Sequence, residues 1–452
     1  MRIEDLAGQR VAIWGFGREG RAAIRALRQR LPGLTLALYC AEAELADAQA
    51  FDSALRVYAN EPDAVALSAY DLVVKSPGIS AYKPAIITAQ AQGTRFTSGT
   101  ALWFAENPQA RVVAVTGTKG KSTTTALLAH LARALGIRTA LAGNIGLPLL
   151  ELLDQHADLW AIELSSFQTG EAGALELGVI TSLYEEHLDW HGSRERYVAD
   201  KLKLADAARQ LLVNAEQASL LEKTAAHPHR ILFGQRDGWH VAEGFIRRGE
   251  ADVFALNQLP VPGLHNALNA CAALAALEAM GFDAVAAAPS LSVFQPLPHR
   301  LQPLGESGGL QWINDSISTT PQATIAALDS LRDREVTVIV GGHDRGLDWS
   351  PFVKDVATRK GLRIVTQGAN GPRIAFALRA AKSEIPLGDV DNLTDAIDMA
   401  RIITPSGGVV LLSPGAPSFD QFHDYAERGQ RFAEMAGFDA KTMTGIGGLG
   451  IA

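Results

Sequence analysis

Residues 112–125 read VVAVTGTKGKSTTT, and the rest of the chain is organised around them. Val112, Val113, Ala114 and Val115 form a short apolar run of the kind that makes a buried strand. Gly117 and Gly120 follow, then Lys121 and Ser122, then a helix-compatible run, ALLAHLARAL. The order is strand, glycine loop, helix. Glycines there let backbone N–H groups turn inward around a phosphate with no Cβ in the way. The helix N-terminus adds partial positive charge, Lys121 adds a full one, and the Ser122 hydroxyl is placed for a metal held by the phosphates. The usual pattern has a glycine five residues before the Gly-Lys pair, where this chain has Val115. The loop is therefore a shortened phosphate loop, TGTKGKST at 116–123. A plain glycine turn is the bland alternative, and Gly-Lys-Ser directly after an apolar strand argues against it.

At 452 residues the chain is long enough for two to four domains, and 47% apolar residues supply large cores. A net charge of −8 argues against a nucleic-acid surface as its main business. Cys40 and Cys271 are its only cysteines, without metal-type spacing, which fits a reducing compartment. The start, MRIEDLAGQR, lacks the apolar core of a signal peptide. No uncharged apolar run reaches the ~18 residues needed to span a bilayer. These readings predict a cytoplasmic protein with no nucleic-acid partner and no membrane insertion.

The remaining segments alternate strand and helix signals. Residues 10–14 (RVAIW) predict a strand, followed by Gly15-Phe16-Gly17-Arg18-Glu19-Gly20 and a helix to Arg30, a G-x-G-x-x-G loop in the right context. The next predicted strand, 34–39, ends in Tyr39-Cys40 rather than the acid a nicotinamide cofactor wants, so another nucleotide phosphate, or no ligand at all, fits better. A strand at 71–74 leads into Lys75-Ser76-Pro77-Gly78, and Asn107-Pro108 marks a boundary. Beyond the phosphate loop, Gly143-Asn144-Ile145-Gly146 predicts a turn. A strand at 159–162 carries Glu163 at its tip, and one at 179–183 leads to Glu186 and His187. Ligands in open α/β sheets lie beyond the carboxyl ends of the strands, so Glu163 is read as a magnesium ligand, whereas His187 alone reads as an ordinary polar residue. Lys201 and Lys203 on a predicted helix at 197–204 look like a solvated face. Residues 263–274 open a helix with His265, Asn266 and Asn269 on its first turns. Pro296-Leu297-Pro298 marks a second boundary. Predicted strands at 336–340, 361–365 and 409–412 then make another α/β unit. The tail TGIGGLGIA reads as mobile.

Nine motifs in this order resemble the Mur ligases, ATP-dependent enzymes that add amino acids to the UDP-linked muramic acid precursor of peptidoglycan. They are TGTKGKST at 116–123, GNIG at 143–146, ELSSFQ at 163–168, HLD at 187–189, HNALNA at 265–270, PHR at 298–300, NDS at 314–316, GGHDRG at 341–346 and LLSPGAPSFDQF at 411–422. The chain is most similar to the glutamate-adding branch. The resemblance implies an α/β protein of three domains. Residues 1–108 would form a Rossmann-like UDP-precursor domain, 109–298 a central P-loop ATPase-type domain with a parallel sheet, and 299–452 a Rossmann-like amino-acid domain.

Position by position, the resemblance implies that Gly15, Phe16, Gly17, Arg18, Ser76, Pro77 and Gly78 hold the UDP substrate. Gly117, Thr118, Lys119, Gly120, Lys121, Ser122 and Thr123 would hold ATP, with Asn266, Asn269, Arg300 and Asp315 contacting the nucleotide. Asn144 would lie near the reacting carboxylate. Ser122 and Glu163 would ligate one magnesium ion and His187 a second. Lys201 would be a carbamate, giving a nitrogen side chain metal-binding oxygens. Catalysis is thereby assigned to Lys121, Asn144, His187 and Lys201. ATP would be co-substrate, two Mg2+ ions the cofactors, UDP-N-acetylmuramoyl-L-alanine and glutamate the other substrates, and the enzyme a monomer.

The glutamate site departs from the commoner pattern. The D-glutamate-adding enzymes read D-S-K-A-T where this chain reads Asp315-Ser316-Ile317-Ser318-Thr319, so a lysine is replaced by Ile317. Arg345 stands where a lysine is common, and a guanidinium grips a carboxylate as a fork where an ammonium acts as a point charge. Ser418 is kept, with Phe419 and Tyr425 beside it. Inverting the α-carbon swaps the directions of amine and side chain, so a site holding both carboxylates must move its cations. With Thr319, Arg345, Ser418, Phe419 and Tyr425 as the glutamate set, these changes resemble a branch that adds L-glutamate. The ordinary D-glutamate ligase is the alternative. A folylpolyglutamate synthetase would lack the first glycine-loop domain, a dehydrogenase would leave Lys121 and Ser122 idle, and a regulatory NTPase would need switch segments that are not visible.

Overall fold

The computed structural model describes residues 1–184, 191, 193–261, 263–381, 385–440 and 448–452. His187 lies outside them. The chain divides into two compact units. One comprises Met1–Gln258, Ala267–Ser292 and Gly448–Ala452; the other comprises Leu259–Asn266 and Val293–Gly447.

The first unit holds three sheets. Strands β1 (Val11–Trp14), β2 (Leu36–Tyr39), β3 (Arg56–Tyr58), β4 (Leu72–Lys75) and β5 (Arg95–Thr97) form a wholly parallel sheet in the order β3-β2-β1-β4-β5. The order reverses between β1 and β4, which places a ligand crevice at their carboxyl ends. The second sheet is built on β6 (Val112–Thr116), β7 (Thr139–Gly143), β8 (Leu159–Glu163), β9 (Leu175–Ile180), β10 (Ala208–Asn214) and β11 (Arg230–Phe233), in the order β11-β10-β9-β6-β8-β7. Every residue of β6 is buried, as expected of a strand covered on both faces. Full burial of each valine there contributes roughly 1.5–3 kcal/mol. A small antiparallel sheet follows, β12 (Trp239–Ala242), β13 (Phe245–Arg248) and β14 (Ala251–Ala255).

Two expectations need correction here. The strand expected at 179–183 is Leu175–Ile180, because Glu176, which ion-pairs with Arg209 on β10, interrupts the apolar run without ending the strand. The described part of the tail is held: β21 (Gly450–Ile451) pairs antiparallel with β7, Arg133 donates to the carbonyls of Gly448 and Gly450 at 2.7 and 2.9 Å, and Thr139 and Ala452 exchange backbone bonds. Backbone pairing needs no side chains, so glycine content alone misleads.

The second unit carries β15 (Gln302–Ser307), β16 (Leu310–Asn314), β17 (Val336–Val340), β18 (Leu362–Thr366), β19 (Leu387–Asp389) and β20 (Val409–Leu412), ordered β15-β16-β20-β17-β18-β19. Only the β15–β16 pair is antiparallel. Helices cover both faces, and each face has its own buried cluster.

Candidate active site

The phosphate loop leaves β6 at its switch point, since β8 and β9 flank β6 on opposite sides. Gly117 has φ +150°, and a Cβ there would lie 2.1 Å from Thr181 Oγ1. Gly120 has φ +86° and would clash with Asn269 Oδ1 at 2.4 Å. Both positions therefore exclude side chains on space as well as conformation. The loop is pinned by Thr118 N–H on Ser182 O (2.9 Å) and Lys119 N–H on Ser182 Oγ (2.8 Å). Helix Lys121–Ala134 starts at Gly120 with no side-chain cap, so its first N–H groups suit an anion. Lys121 Nζ reaches Thr118 O at 3.0 Å. Lys121 and Ser122 are half-buried, and Thr123 is buried.

Around this loop stand the other candidates. Glu163 is 1% exposed; Asn144 Nδ2 donates to its Oε1 at 2.8 Å, and its Oε2 is buried with no hydrogen-bond partner. An orphaned buried carboxylate oxygen beside a phosphate loop suits a hard cation. Lys201 is 2% exposed and donates to Gly117 O at 2.9 Å, while Lys203 faces outward and pairs with Asp200. The solvated-face reading thus fails for Lys201, because two residues along helix Arg194–Ala207 are roughly 200° of rotation, which puts Lys201 and Lys203 on opposite faces. Among the described residues no three His, Cys, Asp or Glu side chains gather as a metal cluster; the expected set draws on a hydroxyl and a lysine instead. Asn269 is buried against the loop, 3.3 Å from Thr124 Oγ1, on helix Leu264–Ala279. Asn266, in the second unit, is buried too.

Sequence reasoning missed a buried polar chain beside Lys201. His191 bridges Ser166 Oγ (3.0 Å) and Asp200 Oδ2 (2.7 Å), and Tyr82 donates its hydroxyl to Asp200 at 2.8 Å. Burial alone would raise Asp200, but hydrogen bonds from Lys203, Tyr82 and His191 outweigh it and hold the carboxyl low. The available signal was His-Gly directly after HLDW.

At the first sheet, Gly15 N–H bonds Tyr39 O and Ser76 N–H bonds Trp14 O. A Cβ at Gly20 would meet Gly15 O at 1.9 Å. Ser76 Oγ is buried without a partner beside Gly15. Gly17, Arg18 and Gly78 are exposed and Pro77 half-buried. Phe16 differs: its ring is 1% exposed in the core, so only its backbone faces the crevice. Glu19 is pushed up to about 7 by burial, then by Glu171 and Glu151. Behind the loop, Lys75 lies 3.9 Å from Glu171, and burial shifts both toward neutrality. A cavity of about 690 Å³ opens near Arg10 and Arg56, at the amino ends of the strands, away from this loop.

In the second unit Asp315 is fully engaged, accepting from Leu301 N–H, Ser318 Oγ and Ser413 Oγ at 3.0, 2.6 and 2.7 Å. Burial raises its carboxyl to about 6 against those bonds. Arg300 is half-buried nearby. Thr319 and Tyr425 are half-buried, Ser418 is buried, and Arg345 and Phe419 are exposed.

Family models match in three places: the Mur ligase MurD-like N-terminal domain at residues 9–98, the Mur ligase middle domain at 115–277, and the Mur ligase glutamate ligase domain at 299–415. A protein of Xanthomonas euvesicatoria pv. vesicatoria named UDP-N-acetylmuramoyl-L-alanine–L-glutamate ligase is 50% identical across 100% of both chains. One of the same name from Micromonospora sp. is 39% identical, covering 96% of this chain and 98% of its own. In fold, the chain is similar to the UDP-N-acetylmuramate–alanine ligase of Thermotoga maritima, with a TM-score of 0.61 at 20% identity over 94% of this chain and 98% of that one. It is also similar to a MurF ligase of the same organism in complex with ADP, with a TM-score of 0.56 at 16% identity over 96% and 94%.

Proposed function

The chain belongs to the Mur ligase family of ATP-dependent ligases, and from that premise we propose that it joins L-glutamate to the alanyl carboxylate of UDP-N-acetylmuramoyl-L-alanine. The observation that carries the ligase chemistry is the phosphate loop with half-buried Lys121, flanked by the strand whose tip holds the orphaned, buried Glu163 oxygen.

A carboxylate resists an amine because its oxygen leaves badly. Transfer of the γ-phosphoryl of ATP to that oxygen gives an acyl phosphate and ADP. The neutral amine of glutamate then attacks the carbonyl carbon, the new C–N bond forms, and phosphate departs with the C–O electron pair while the amine loses a proton. Lys121 and the uncapped helix end neutralise charge on the phosphoryl group in transit. Asn144, already oriented by Glu163, is the donor for the reacting carboxylate. Ser122, Glu163 and Lys201 as a carbamate would hold magnesium, with His187 completing the set. Bound there, the metal supplies charge neutralisation and a template for the phosphates. Gly15, Gly17, Arg18, Ser76 and Gly78 take the UDP moiety.

The preference for L-glutamate is supported by Ile317 in place of a lysine, by Arg345, and by the names of the relatives at 50% identity. Thr319 and Ser418 serve either enantiomer. The test is phosphate release from ATP with UDP-N-acetylmuramoyl-L-alanine and each pure enantiomer of glutamate, followed by chiral analysis of the hydrolysed product. Release should require both acceptors and run faster with L-glutamate. Faster turnover with D-glutamate would leave the ligase assignment standing and overturn the enantiomer preference.

A further inference from the structure

Arg428 is 1% exposed, on helix Tyr425–Ala436. An amphipathic helix ordinarily turns its arginines to water, and burying a cation is costly unless its environment compensates. Among the described residues no carboxylate hydrogen-bonds to this one; its donors go to neutral oxygens. Nε donates to Ser316 Oγ at 3.0 Å, and Nη2 to Ser316 O at 2.8 Å and Ala416 O at 3.0 Å. Nη1 donates to Pro417 O at 3.1 Å. Burial lowers the guanidinium to about 10, with Asp420 opposing, so it stays charged at neutral pH.

These bonds tie loops from three strand ends. Ser316 follows β16, and its Oγ donates on to Tyr425 O at 2.8 Å. Ala416 and Pro417 follow β20. Pro417 O also accepts from His343 N–H at 2.9 Å, which brings in the loop after β17. That loop passes so close that a Cβ at Gly342 would lie 2.3 Å from Pro417 O and 3.0 Å from Arg428 Nη1. The three loops carry Thr319, Arg345 and Ser418, and the arginine's own helix begins with Tyr425.

We propose that Arg428 is the positioning residue of the amino-acid pocket, fixing these three loops in register from behind and adding a buried positive charge that favours a dianionic amino acid. The inference rests on the glutamate-ligase reading. A planar fork that satisfies three carbonyls and a hydroxyl cannot be replaced by an ammonium, whose donors are not coplanar.

The experiment compares steady-state kinetics of the wild-type full chain with Arg428→Lys and Ser316→Ala. Ser316→Ala keeps the charge and removes only the Nε acceptor and the link to Tyr425, so it guards against an unfolded Arg428 variant. Arg428→Lys should raise KM for glutamate about tenfold or more. Ser316→Ala should raise it roughly threefold to tenfold. KM for the UDP substrate should stay within about twofold of wild type in both, since its pocket is assigned to none of these loops, and KM for ATP should rise less than KM for glutamate, since Asp315 alone on these loops is assigned to the nucleotide. A glutamate KM within twofold of wild type in folded Ser316→Ala or Arg428→Lys would overturn the proposal, and so would equal rises in all three KM values. Wild-type enzyme that needs no glutamate for ADP formation would refute the ligase reading instead.

Discussion

The two glycine loops of the first unit share one backbone design and differ in their charges. Each leaves a central parallel strand where strand order reverses, β1 into residues 15–20 and β6 into 117–120. Each leads into a helix whose first residue lacks a side-chain cap. Each has a glycine that a Cβ would drive into a neighbouring backbone or side-chain oxygen, Gly20 against Gly15 O and Gly120 against Asn269 Oδ1. The second loop then adds Lys121, with Lys201 and Glu163 buried beside it. The first adds Arg18 and the carboxylate of Glu19, with an unsatisfied Ser76 hydroxyl. On the proposed reading, the same backbone design serves binding in one loop and phosphoryl transfer in the other, because only the second concentrates cations where charge would move.

The largest effect that would break this comparison is expected at Lys121. Lys121→Ala should lower turnover by roughly 10²–10³-fold or more with unchanged far-UV circular dichroism, since its contribution is electrostatic. Near-normal turnover would remove the distinction between the loops. Lys201→Ala should come next, at about 10²-fold, with added acetate restoring part of the activity by supplying carboxylate oxygens in place of the proposed carbamate. Full activity without acetate would mean that Lys201 contributes only its bond to Gly117 O. At the first loop, Ser76→Ala should raise KM for the UDP substrate by roughly threefold to tenfold and leave kcat in place, the pattern of lost uniform binding. A fall in kcat with KM unchanged would instead assign that loop a part in the chemistry.

Backbone features were legible and side-chain destinations were not. The strands at 336–340 and 409–412 are found as read, because unbroken β-branched and leucine runs bounded by glycine or serine admit little else. Glu163 at a strand tip was legible for the same reason. Lys201 was not, since spacing places two lysines on a helix without saying which faces inward. Arg428 sits among Glu427 and Arg431, and nothing in that pattern marks it as buried. Glu176 concealed the start of β9, and glycines concealed β21. In each case the missing information is a tertiary partner: Gly117 O, Ser316, Arg209 and β7 respectively.

The smallest expected effect on turnover, and the sharpest on the comparison, is at Glu19. An acid in the first turn of a helix normally benefits from the dipole and titrates low. Glu19 instead rises from 4.5 to about 7, first because it is buried and then because Glu171 and Glu151 repel a second and third negative charge. The groups facing it are those two carboxylates, with Lys75 and Ser98 held by Glu171 and Arg25 held by Glu151. Below pH 4.5 Glu19 is protonated in both folded and unfolded chains, and it costs nothing. Between 4.5 and about 7 the unfolded chain releases the proton while the folded chain keeps it, so stability falls as pH rises. Above 7 the loss is complete, at roughly 1–3 kcal/mol. Glu19→Gln imitates the protonated acid at every pH. Its urea midpoint should match wild type at pH 4.5, exceed it increasingly up to pH 7, and keep a constant lead beyond. Parallel midpoints from pH 5 to 8 would show that Glu19 is ionised in the fold like any surface acid. The first loop would then carry a standing negative charge, and the diphosphate binding proposed for it would have to rest on Arg18 and backbone N–H groups alone.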